Sequence, residues 1–91
     1  MTTVETTYYA GAADRLGTRV EAYEGVDTAE ELLESIVARH GERVRPMLAS
    51  CAFLTERGRV DGNNPLRPVG ESAAVGGETV KVDVLPPFAG G

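Results

Sequence analysis

The chain has 91 residues, enough for one domain and too few for two. A chain of this size buries roughly 60–70% of the surface its unfolded form exposes, which supports one modest core but no large enclosed active-site cavity. With 9 Lys+Arg against 14 Asp+Glu the net charge is −5, which counts against nucleic acid or an anionic membrane surface as partner, since both need basic patches.

The first expected element is a strand over Thr2–Tyr9, rich in Thr, Val and Tyr. Ala10–Gly17 is small and bounded by glycine, and reads as a turn holding at most one turn of helix. Thr18–Tyr23 reads as a second strand, with Val20 and Ala22 on one face and Arg19 and Glu21 on the other. Two strands this close in sequence suggest a hairpin with a long connection.

The strongest helix signal covers Asp27–His40. Ala29, Leu32, Leu33, Ile36, Val37 and His40 recur at spacings of three and four and form one stripe. Asp27 or Thr28 can cap its start, and Thr28 with Glu31 fits a capping box. Glu30, Glu31 and Glu34 lie toward the positive end of the helix dipole, Arg39 lies near the negative end, and Gly41 suits a left-handed cap.

Beyond it, Arg43–Ala49 contains Pro46 and reads as one short helical turn. Ser50–Thr55 reads as a strand covered on both faces, because Cys51, Ala52, Phe53 and Leu54 run together. Arg57-Gly58 marks a turn, Arg59–Asp61 a short edge strand, and the Gly- and Pro-rich segment 62–77 a loop. In Thr79–Leu85, Val80, Val82 and Val84 alternate with Lys81 and Asp83, the pattern of a half-buried strand. This order predicts an α+β fold with one main helix packed on one face of a mixed sheet. It matches a ubiquitin-like β-grasp and also other small α+β folds. The expected division is a domain over residues 1–85 and a tail over residues 86–91.

Charge is uneven along the chain. Residues 1–34 hold eight acids and two bases, and residues 35–67 hold three acids and six arginines. Helix-dipole and surface patterning explains this first, and a docking surface second. The lone Cys51 cannot form an internal disulfide or a multi-thiolate zinc site. Small secreted chains usually carry several cysteines, so a reducing cytoplasmic location is expected. The start, Met1-Thr2-Thr3-Val4-Glu5, lacks the basic and apolar regions of a signal peptide, and no apolar run approaches a membrane span.

Catalysis lacks its usual residues. His40 is the single histidine and sits at a helix end, where a dipole partner or stripe-edge residue is the better reading than a base. Cys51 lies in an apolar run and reads as a buried, inert thiol. Gly76-Gly77 has no following Lys-Ser/Thr and is not a phosphate loop. No metal site is expected.

What remains is Leu85-Pro86-Pro87-Phe88-Ala89-Gly90-Gly91. Pro86 and Pro87 are stiff and end the last strand, because proline cannot donate to a ladder. Phe88 is an aromatic anchor suited to a partner's pocket. Ala89, Gly90 and Gly91 are thin enough to thread a narrow channel. The six residues from Pro86 span up to roughly 20 Å when extended. The functional group at the tip is the α-carboxylate of Gly91, which must be activated before it can be attacked; adenylation by a partner enzyme would do this.

With these residues in view, the chain resembles the MoaD/ThiS family of ubiquitin-like sulfur carriers, especially the small subunit of molybdopterin synthase. The resemblance runs through Tyr8-Tyr9-Ala10, Arg15-Leu16-Gly17, Glu31-Leu32-Leu33, the stretch from Leu48 to Leu54, and Gly77-Glu78-Thr79-Val80. It closes on Val84-Leu85-Pro86-Pro87-Phe88-Ala89-Gly90-Gly91, its specific part; family members often carry valine where this chain has Phe88. The resemblance implies a non-catalytic sulfur carrier. An adenylating enzyme similar to ubiquitin-activating enzymes would use ATP on Gly91, and a sulfur donor protein would convert it to a thiocarboxylate. The large subunit of molybdopterin synthase would accept the tail. The chain itself would hold no permanent cofactor. Rival readings are the same chemistry for cysteine, thiamine-thiazole or tRNA sulfuration, and a ubiquitin-like modifier of proteins.

Overall fold

The structure, a computed structural model, describes residues 2–56, 58–61, 66 and 78–87. Its elements in chain order are β1 (Thr2–Tyr8), α1 (Ala10–Leu16), β2 (Val20–Glu24), α2 (Ala29–His40), a 3₁₀ turn (Glu42–Val44), α3 (Arg45–Ala49), β3 (Ala52–Thr55), β4 (Gly58–Val60) and β5 (Glu78–Leu85). Among the described residues the strands form one five-stranded sheet in the order β2-β1-β5-β3-β4. β1 pairs antiparallel with β2 and parallel with β5, and β3 pairs antiparallel with both β5 and β4. The expected mixed sheet with one main helix on one face is what forms.

The alternation of β5 sets the core. Val82 and Val84 are fully buried beside Val4, Thr6 and Tyr8 of β1, while Lys81 and Asp83 turn to the opposite face. Leu32, Ile36 and Val37 of α2 join the same cluster. Burying each such side chain contributes about 1.5–3 kcal/mol, so the helix stripe and the valine face stabilise one another. Thr28 Oγ accepts the Glu31 N–H at 3.1 Å, and Glu31 Oε1 reaches back to the Asp27 N–H at 2.8 Å. The capping box therefore closes one residue earlier than the sequence suggests.

Several expectations shift. Residues 10–16 make a two-turn helix rather than a turn, because Ala12 and Leu16 lie one turn apart and both reach the core. Gly17, at φ 74°, stops it in the left-handed region that favours glycine. Gly41 is no left-handed helix cap: it takes φ 103°, ψ 161°, a conformation open essentially to glycine alone, while its N–H still bonds to Val37 O. β2 begins at Val20, not Thr18, and its inward face carries Glu21 and Tyr23, while Val20 and Ala22 face out. β3 begins at Ala52, since Ser50 and Cys51 close the end of α3 through bonds to Met47 O and Leu48 O. Its Phe53 is buried and its Leu54 only half-buried, so one face is covered, not two. β4 takes in Gly58 and ends at Val60; Arg57 lies outside the described residues. Of the expected loop 62–77, Leu66 is described: it is buried, and its N–H bonds to Asp27 O at 2.8 Å. The segment thus returns an apolar side chain to the core, which its glycine and proline content hid.

Candidate functional site

The side chains with catalytic chemistry are engaged structurally. Among the described residues no group of three or more His, Cys, Asp or Glu is placed to hold a metal. Cys51 is buried, its thiol donates to Met47 O at 3.2 Å, and burial pushes its pKa up. A desolvated thiol of this kind is a poor nucleophile. No described helix is long and apolar enough to cross a membrane.

His40 turns inward to Glu21. Its Nε2 lies 2.8 and 3.0 Å from the two carboxylate oxygens. The hydroxyls of Tyr8 and Tyr23 each donate to Glu21 Oε1 at 2.7 Å, and the Arg39 guanidinium stacks 4.2 Å above the Tyr23 ring. Burial acts to raise the Glu21 pKa, but the bonds from Tyr23, His40 and Tyr8 together outweigh it and hold the carboxyl below the usual range. Burial, with the hydrogen bond to Glu21 beside it, pushes Tyr23 up to about 12; burial and the bonds to Tyr23 and Glu21 push Tyr8 up as well. Such a convergence of titratable groups often marks an active site. Here each donor is spent on one carboxylate, and the cluster ties the last turn of α2 to β2. The signal was available: Glu21 and Tyr23 are two residues apart, so if Tyr23 faces the core, Glu21 does too.

The acids of α2 divide. Glu34 and Glu42 both receive Arg45, at 2.9 Å from Nη2 in each case, which joins α2 to the start of α3. Such exposed pairs contribute little to stability. Glu30 has no ion pair among the described residues.

The end of β5 is the remaining candidate. β5 lies between β1 and β3, so its last residues are held from both sides: Val84 is opposite Tyr8 and Phe53, and Leu85 is opposite Ala52. Tyr9 adds a further clamp that the sequence reading missed. Its N–H donates to Val84 O at 3.2 Å, and its hydroxyl to Asp83 Oδ1 at 3.2 Å across the outer face. An aromatic at the end of a strand, one residue past its partner register, was the available signal. Pro86, half-buried, and Pro87, exposed, follow the strand outside regular structure. Phe88, Ala89, Gly90 and Gly91 lie outside the described residues.

No family model matches the sequence, and no curated protein matches it. Solved structures do. A Pyrococcus furiosus protein described as molybdopterin converting factor, subunit 1, superposes with a TM-score of 0.70 at 20% identity, covering 96% of this chain and 99% of its own. SAMP1 from Haloferax volcanii superposes with a TM-score of 0.63 at 18% identity, covering 98% of this chain and 99% of its own. The resemblance read from the end of the sequence thus meets a structural neighbour described in the same terms. Together with a mixed sheet in the order β2-β1-β5-β3-β4 and one long helix across it, these likenesses show that the chain has the ubiquitin-like β-grasp fold.

Proposed function

We propose that the chain is a sulfur carrier whose working group is the carboxylate of Gly91, with Gly90 beside it. The observation that carries the reading is the position of β5. A central strand held on both sides ends at Leu85 and runs directly into Pro86-Pro87, a stiff lead for Phe88, Ala89 and the two glycines.

A carboxylate oxygen of Gly91 attacks the α-phosphorus of ATP on an adenylating partner. That forms an acyl-adenylate and releases pyrophosphate. A sulfur nucleophile at the sulfide level, from a sulfur donor protein, then attacks the acyl carbon and expels AMP, leaving a thiocarboxylate. The tail enters an acceptor enzyme, with Pro86 and Pro87 as spacer and Phe88 as anchor. The acceptor that best fits the resemblance is the large subunit of molybdopterin synthase, and the neighbour described as molybdopterin converting factor supports it. The catalytic residues in this scheme belong to the partners, and the cytoplasm is the compartment where they would meet.

Intact mass spectrometry after incubation with an adenylating enzyme, ATP and a sulfur source tests the reading. Exchange of one oxygen for sulfur at Gly91 is expected; an unchanged mass with an enzyme that binds the chain would refute it. A second reading, a ubiquitin-like modifier joined to protein lysines, is favoured by the likeness to SAMP1, a small archaeal modifier. Isopeptide-linked Gly91 on lysines of other proteins would select it.

A further inference from the structure

A second binding surface lies away from the end of β5, at the outer edge of the sheet. Among the described residues β2 has β1 on one side and no strand on the other. Opposed residues in an antiparallel pair alternate between exchanging both backbone hydrogen bonds and exchanging neither. Tyr8 N–H bonds to Arg19 O at 2.8 Å, which fixes the phase. Counting along the register, Glu21 and Tyr23 bond to β1, whereas Val20, Ala22 and Glu24 turn their N–H and C=O groups outward. Among the described residues the outward carbonyl of Val20 receives Thr18 Oγ and that of Ala22 receives Arg39 Nη2, at 3.3 and 3.4 Å. The three outward N–H groups have no partner there. Free strand edges recruit other strands, and proteins usually blunt them by shortening, proline or lysine. β4, at the opposite edge, is three residues long; β2 is five and holds neither proline nor lysine. Val20 is 52% exposed on it.

Chemistry beside the edge selects the occupant. Where β2 gives way to α2, a groove of about 560 Å³ is lined by Glu24 and Val26 on one side and Glu30, Glu31 and Glu34 on the other. Glu31 is engaged in the helix cap and Glu34 with Arg45, but Glu24 and Glu30 have no ion pair among the described residues. A second copy of this acidic chain would bring like charge to the groove. We propose that the β2 edge and this groove bind an extended, basic segment of a partner protein. The segment adds as a sixth strand; a cationic side chain on its outer face meets Glu24, which faces out with Val20 and Ala22, and one on its other face meets Glu30 of α2. Main-chain bonds supply affinity in this mode and the side-chain sites supply selectivity.

The groove end of this surface is remote from the tail: Glu24 and Thr79 both lie opposite Thr3, about 20 Å along the strands from Leu85, whereas Val20 lies opposite Thr7 and so level with Asp83, with β1 between them. β1 also separates β2 from β5. A partner seated on β2 has its charged contacts at the Glu24 end and β1 between it and β5, so one protein can hold the carrier while another handles its tail.

The test is an NMR titration of the full chain with an acetylated synthetic peptide of about nine residues, rich in Val and with Arg or Lys at adjacent positions so that each face carries a cation. Shift changes confined to residues 20–26 and 28–35 are expected, with amide exchange at Val20, Ala22 and Glu24 slowed by about tenfold or more. The Glu24→Lys/Glu30→Lys double variant should bind about tenfold more weakly, as should a peptide N-methylated along one edge, which keeps the charge and leaves the protein unaltered. Deletion of Gly91 should leave peptide binding unchanged, which separates this surface from the sulfur-carrier reading. Binding that is indifferent to N-methylation, no added protection at the three amides, equal binding of a peptide with Glu in place of the cations, or pairing of β2 with a second copy would each overturn the proposal.

Discussion

The cluster around Glu21 and the end of β5 are built from opposite materials. The first gathers two tyrosines, a histidine and an arginine onto one carboxylate. It has the look of an active site and does the work of a clasp, since the groups satisfy one another and bind α2 to β2. The second has no reactive side chain beyond Leu85, and a sequence of Pro, Phe, Ala and Gly. Yet it is the part that the fold presents from the centre of its sheet. The contrast teaches that density of titratable groups measures how much polar chemistry a core must satisfy, and does not by itself mark a working site.

The contrast is broken most directly by removing Gly91. Sulfur transfer should vanish while the melting temperature is unchanged, as read by mass spectrometry and circular dichroism; retained transfer would move the chemistry elsewhere. Glu21→Ala should do the reverse. It strands the Tyr8, Tyr23 and His40 donors at a site whose carboxylate is only 13% exposed, at a cost of about 2–4 kcal/mol in denaturant unfolding. Transfer per folded molecule should survive.

Phe88→Ala should weaken binding of the acceptor enzyme by about 2 kcal/mol in calorimetry, as for a buried aromatic anchor, with little change in thermal stability. Chiefly lost stability would make Phe88 part of the core. Thr6→Val should raise stability by about 1 kcal/mol, because Thr6 Oγ is fully buried with no hydrogen-bond partner among the described residues and valine has nearly the same shape.

The smallest effect is in pH. The Glu21 carboxyl is depressed in the folded chain, so its contribution is present above its ordinary 4.5 and lost as pH falls through the lower folded value. The tyrosines are raised, so theirs is full below about pH 10 and falls as pH climbs toward the Tyr23 value of about 12. Urea titrations across pH should show both limbs, and Glu21→Gln should flatten the acid one.

How far the sequence could be read follows from what each region depends on. The stripe of α2 and the alternation of β5 are local patterns, and both elements form where the spacing puts them. That Glu21 shares a face with Tyr23 is local, but that this face turns inward depends on Tyr8 of β1 and His40 of α2, which no local window contains. The burial of Leu66 depends on Asp27 in the same way. The candidate tail stands out in the sequence by composition alone, as a segment of two prolines, a phenylalanine and terminal glycines. Its Phe88–Gly91 portion lies outside the described residues, so structure adds its root and the sequence supplies its tip.

The parallel pairing of β1 with β5 has a consequence for how the molecule is made. Thr6 cannot meet Val82 until the chain has been synthesised past residue 82, and the two strands lie together inside the sheet. During translation the nascent chain can form α2 and the β1–β2 hairpin, but it cannot close the core while β5 is still inside the ribosomal tunnel. Messages cut short before β5 would therefore yield chains that expose Val4, Leu32 and Ile36 and are cleared as unfolded protein. Folding in this architecture is a proofreading step: a molecule that passes it has been translated at least as far as the strand that carries the tail.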